Sequence, residues 1–119
     1  MAMDNGLDRL TGEELNEVSF VMDYVEFHFN GPVLRALTPP TVRSAGLVAR
    51  FPEPGSRDRL CDLIGKTVAA VSAVDDVAID LSFTDGATLT IPLDAASRVG
   101  PEAANFQSDR TNSPLFMVW

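Results

Sequence analysis

A chain of 119 residues suits one domain around one core, and 45% hydrophobic residues with seven phenylalanines supply that core. Seventeen acidic against nine basic side chains leave a formal net charge of -8, which argues against a nucleic-acid backbone binder and an anionic membrane surface. A lone cysteine excludes an intramolecular disulfide, the first residues lack the basic start and apolar middle of a signal peptide, and no apolar run nears the ~20 residues of a membrane-spanning helix. The expectation is a cytoplasmic protein that binds neither nucleic acid nor membrane.

In chain order, the first nine residues read as a loose polar lead-in. The stretch Gly12 to Pro39 then predicts three short strands. Val25, Phe27 and Phe29 alternate with Glu26 and His28 at the period of two that a half-buried strand requires. Asn30-Gly31 predicts a type I′ turn, and Pro32 falls at the start of the third strand, where its missing N–H is harmless. Residues 40–55 form a connector rich in proline and glycine, in which the alternation of Leu47, Ala49 and Phe51 allows an extra edge strand. A helix is predicted over 56–64, with Ser56 as N-cap, Asp58 in the first turn, Leu60, Leu63 and Ile64 as the apolar stripe, and Gly65 at C′.

Gly65 to Pro92 repeats the pattern of Gly12 to Pro39. Gly12, Leu15, Val18, Val21 and Asp23 match Gly65, Val68, Val71, Val74 and Asp76. After one inserted residue, Val25, Phe27 and Phe29 match Ile79, Leu81 and Phe83. After a second, Gly31, Leu34 and Ala36 match Gly86, Leu89 and Ile91. Both insertions fall at turns, where a length change leaves the register of the flanking strands intact. Asp85-Gly86 marks the second hairpin, as a type I′ turn or a G1-bulged loop. Leu15, Val18 and Val21, and likewise Val68, Val71 and Val74, lie three apart, so each first strand needs a bulge or two buried faces. Beyond Pro92, Pro101-Glu102-Ala103-Ala104 suits one or two helical turns, residues 108–113 are polar and turn-forming, and Leu115 to Trp119 reads as a terminal strand.

The expected fold is therefore α+β and mainly β. Two duplicated antiparallel three-stranded meanders face each other as a sandwich or partly open barrel, with one short helix between the copies and a C-terminal strand. One domain spans 1–119, with internal repeats at about 12–39 and 65–92.

Chemistry is sparse. His28 is the single histidine and Cys61 the single cysteine. His28 should point outward with Glu26, and Cys61 reads as a small buried thiol beside the helix's apolar face, so a Cys-His nucleophile is not expected. One histidine and one cysteine do not make a four-ligand zinc set. Asp75, Asp76, Asp80, Asp85 and Asp94 lack EF-hand spacing and read as turn and surface aspartates. No phosphate-binding glycine loop or nucleophile elbow is present, and no cofactor is expected. Glu26 and Asp80 occupy matching outward positions, as solvated carboxylates. Arg43 and Arg98 each follow a third strand and match as well, most simply as surface or edge arginines.

The segments LIGKTV, FTDGATLTIPL, RVGPEAANF and FMVW resemble small uncharacterised bacterial proteins of actinobacterial type that carry a tandem meander and a tryptophan-ended strand. The resemblance implies a bacterial domain without an assigned activity. Small size, acidity and the lack of a catalytic constellation point to a non-enzymatic protein-binding module, of the toxin-immunity kind, with a basic protein as partner. Its acidic and polar face is expected at Glu26, His28, Asp80 and Ser82, joined by Thr84, and a homodimer is left open. The alternative is a small-molecule-binding domain or weakly marked enzyme with a cavity between the meanders.

Overall fold

The structure, a computed structural model, describes residues 6–108 and 114–119. Its strands are β1 (Glu17–Val21), β2 (Tyr24–His28), β3 (Val33–Ala36), β4 (Thr41–Ser44), β5 (Leu47–Arg50), β6 (Val68–Val74), β7 (Ala78–Phe83), β8 (Thr88–Pro92), β9 (Ala104–Ser108) and β10 (Leu115–Val118). Helix α1 (Ser56–Cys61) lies between β5 and β6. They build two five-stranded antiparallel sheets, ordered β1-β2-β3-β9-β10 and β5-β4-β8-β7-β6. The arrangement is sandwich-like and not a closed barrel. The polar segment expected over 108–113 lies, past Ser108, outside the described residues.

Each expected meander is present, and the two pair residue for residue alike. Val25 faces Ala36 and Phe27 faces Leu34 in the first; Ile79 faces Ile91 and Leu81 faces Leu89 in the second. All eight are buried, so the inner faces of the two sheets make one core. Asn30 and Gly31 have φ of 55° and 123°, the positive values that a type I′ turn needs. The second hairpin takes the bulged form. Phe83 N–H donates to Ala87 O at 2.8 Å, and Gly86 stands at φ 94°.

The three-residue spacing of the valines is resolved by the expected bulge. Register shifts between Val68 and Ala70, so Val68 opposite Phe83 and Val71 opposite Leu81 both face inward. Val74 falls on the other face and is 52% exposed.

The duplication runs further than the meanders. Leu7 and Leu10, on a short helical turn, correspond to Leu60 and Leu63, and all four are fully buried. Glu13 N–H donates to Leu10 O as Lys66 N–H donates to Leu63 O. The expected loose lead-in is thus corrected from Leu7 onward, because two leucines in a polar stretch suffice to seal an edge of the sandwich. This turn packs on β6, with Gly6 so close to Leu115 and Met117 of β10 that a Cβ there would collide with both. Helix α1 packs on β1, β4 and β5 at the opposite edges.

After each meander the chain crosses to the other sheet. The β4–β5 hairpin pairs with β8, and β9–β10 pairs with β3. The expected extra edge strand is β5, and the terminal strand is β10. Phe51 after β5 then corresponds to Trp119 after β10. Phe51 N–H donates to Pro40 O at 3.0 Å and Trp119 N–H to Ala104 O at 2.9 Å. Since Arg43 pairs with Thr88 and Gln107 with Val33, Arg43 corresponds to Gln107, and its match to Arg98 is corrected.

Three local expectations also change. Helix α1 is preceded by Gly55 at φ 84° without a side-chain cap, and Ser56 is buried, its hydroxyl unbonded among the described residues. Cys61 is exposed and Ile64 is 44% exposed, because only Leu60 and Leu63 turn to the core. The later helical turn falls at Ala95–Ser97, whereas Ala104 begins β9, since burial of Ala103 and Ala104 against β3 outweighs their helical propensity.

Candidate functional site

Glu26 and His28, at alternate positions of β2, share the outer face of the first sheet. Because facing residues on neighbouring strands lie within side-chain reach, these two continue into a polar ladder across four strands. Ser19 Oγ donates to Glu17 Oε2 at 2.6 Å, and His28 Nε2 lies 3.8 Å from that carboxylate and 3.1 Å from Glu26 Oε1. Arg35 Nε donates to Glu26 Oε2 at 2.8 Å, while its Nη1 reaches Asn105 Oδ1 at 3.1 Å and Gln107 Oε1 at 3.4 Å. The Arg35 guanidinium, aided by His28, holds the Glu26 carboxyl below its ordinary range against the opposing effect of burial. Glu26 is therefore a satisfied, ionised carboxylate and not a proton donor near neutral pH. Exposed Phe116 and Val118 of β10 adjoin this ladder.

Asp80 and Ser82 lie on the outer face of the second sheet. Facing meanders turn their outward residues in opposite directions, so the structure does not bring Asp80 and Ser82 together with Glu26 and His28. Asp80 Oδ1 accepts a hydrogen bond from Thr90 Oγ1 at 2.5 Å, and Thr84 sits in the loop beyond β7. Nor do the aspartates converge. Asp85 pairs with Lys66 at 2.7 Å, which together with the Ala87 N–H lowers its pKa, and Asp76 lies 4.0 Å from Arg98. Among the described residues no histidine, cysteine and carboxylate cluster could hold a metal ion, and no hydrogen bond joins Cys61 to His28. Burial, then Asp58 and Asp62, push the Cys61 thiol up, away from the reactive thiolate.

Asp23, Asp75, Asp76 and Glu102 instead line grooves at one end of the sandwich. There the turns Met22-Asp23 and Asp75–Val77 flank the strap from Leu93 to Glu102. One groove is lined by Asp23, Tyr24, Leu37, Val99 and Glu102, a second by Met22, Leu37, Pro39, Phe51, Arg57 and Val99, and a third by Asp75, Asp76, Leu93, Arg98 and Trp119. The second and third share three duplicated positions, with Met22, Asp23 and Phe51 in one where Asp75, Asp76 and Trp119 stand in the other. Met22 is 92% exposed, Val99 77% and Val77 58%. Sequence reasoning missed these three. For Met22 and Val77 the available signal was an apolar residue at a turn tip beside aspartate, where a polar residue is the rule, and for Val99 an apolar residue between Arg98 and Gly100. Among the described residues no helix is long and apolar enough to cross a membrane.

The chain matches no family model, no curated protein and no solved structure.

Proposed function

We propose that the protein is a non-enzymatic protein-binding module that takes a basic partner on the turn end of the sandwich. The observation that carries this reading is the set of exposed Met22, Val77 and Val99 among Asp23, Asp75, Asp76 and Glu102. Apolar tips give a partner something to desolvate, and the surrounding carboxylates select for positive charge and speed encounter. The space between the sheets is filled by the core, which favours a surface over an interior cavity. A cationic protein such as a nuclease, neutralised in the manner of an immunity protein, fits this surface.

The test is capture from the native host at low salt with the wild-type chain and with the Asp75→Lys/Asp76→Lys variant. A basic protein held by the wild type and lost by the variant is expected, with an association rate that falls as the Debye length drops from ~10 Å to ~3 Å. A partner that binds both chains equally, or recovery of no basic partner, overturns the reading.

A further inference from the structure

Arg57 stands apart from the other arginine of the turn end. Arg98 donates to the carbonyls of Leu93 and Pro101 and lies 4.0 Å from Asp76. The Arg57 guanidinium instead lies 5.0 Å from the centre of the Phe51 ring and 5.8 Å from that of Phe20. Those rings are themselves stacked, with centroids 5.8 Å apart and planes at 19°. Among the described residues no carboxylate lies within ion-pair distance of Arg57, in a chain of net charge -8. Stacking leaves the edge of a guanidinium free, and that edge carries the donors that fit a carboxylate.

The cleft beside it has a volume of about 390 Å³ and apolar walls from Met22, Leu37, Pro39, Phe51 and Val99. That is room for roughly a dozen non-hydrogen atoms at the ~30 Å³ that one water occupies in the liquid. Asp23 is the acidic residue of the lining. It disfavours a second negative charge on the occupant and confines the first to the Arg57 side.

We propose that this cleft binds a small monocarboxylate with an apolar body, the carboxylate on Arg57 and the body against Met22, Leu37 and Phe51. The cleft shares Met22, Asp23 and Val99 with the proposed partner surface, but this proposal rests on Arg57 and the apolar walls, and the partner test changes only Asp75 and Asp76, which lie outside the cleft lining.

The experiment titrates the ¹⁵N-labelled chain with 3-phenylpropionate and hexanoate, and in parallel with 3-phenylpropanamide and hexylamine. Backbone amide shifts centred on Met22, Arg57 and Val99 are expected with the two acids. The neutral amide should bind about tenfold more weakly, because it lacks the charge-assisted hydrogen bonds. Arg57→Gln, at an exposed position, should lose a similar factor for the acids and leave the amide unchanged, and Arg57→Lys should fall between. Equal binding of acid and amide, tighter binding of the amine, full affinity in Arg57→Gln, or shifts centred elsewhere would each overturn the proposal.

Discussion

Glu14 and Thr67 face each other in an isolated antiparallel bridge, and they are the same position in the two copies of the duplicated unit. The bonds around them come in twofold-related pairs. Gly12 N–H donates to Val68 O at 2.8 Å as Gly65 N–H donates to Leu15 O at 2.7 Å, and Leu15 N–H donates to Lys66 O at 3.0 Å as Val68 N–H donates to Glu13 O at 2.9 Å. The halves of this chain hold each other as the subunits of a symmetric dimer do.

It follows that neither half completes a sheet alone, since each meander borrows the other half's hairpin. A chain divided in the exposed segment Glu53–Gly55 should yield fragments that are separately unstructured and that regain native strand signal when mixed. Circular dichroism and NMR dispersion report it. Native-like dispersion from one fragment by itself contradicts the prediction.

Leu7 should matter as much as its counterpart. Leu7→Ala and Leu60→Ala each remove a fully buried side chain and should each cost about 2–5 kcal/mol. Urea midpoints at constant m measure both. A negligible effect at Leu7 would mean that the helical turn is not docked.

Gly86 stands at φ 94° with open space where a Cβ would project, so a side chain there meets strain without a clash. Gly86→Val should therefore destabilise by about 1–3 kcal/mol, all of it conformational. Chemical denaturation is the check, and wild-type stability in the variant would show that the loop relaxes freely.

Glu26 gives a pH dependence of defined sign. Its folded pKa lies below the ordinary 4.5, with the Arg35 hydrogen bond the largest cause. The pair therefore contributes stability above pH ~4.5 that is lost as pH falls through the lower folded value. Glu26→Gln should be less stable than wild type at neutral pH by about 1–3 kcal/mol, with the difference shrinking on acidification below that point. Thermal unfolding from pH 7 to pH 3 measures it; a pH-independent difference would exclude the linkage.

The hairpins were legible because period-two alternation and the dipeptides Asn30-Gly31 and Asp85-Gly86 are local signals. The crossing of β4–β5 and β9–β10 between sheets was not, since strand exchange leaves no mark on the exchanged residues, and Leu47 and Val48 are exposed in any case. Ala103 and Ala104 read as helix because propensity is local, whereas the strand that Ala104 begins is imposed by β3. Glu26, His28, Asp80 and Ser82 were all rightly placed outward, yet alternation says nothing about which outer surface a residue joins. Met22 and Arg57 were hidden for another reason: the cleft they share is assembled from segments far apart in sequence.

The crossing has a consequence during synthesis. Arg35 and Asn105, neighbours across the ladder between β3 and β9, stand 70 residues apart in the chain. A chain emerging from the ribosome presents β4 before β8 is made, so the second sheet grows onto a strand already waiting. In the first sheet β3 keeps an uncovered edge until residues 104–108 emerge. Pairings this distant in sequence form slowly, and an unpaired strand edge is what neighbouring nascent chains most readily join. Of all the ladders in the fold, the one between β3 and β9 leaves its first-made strand exposed longest.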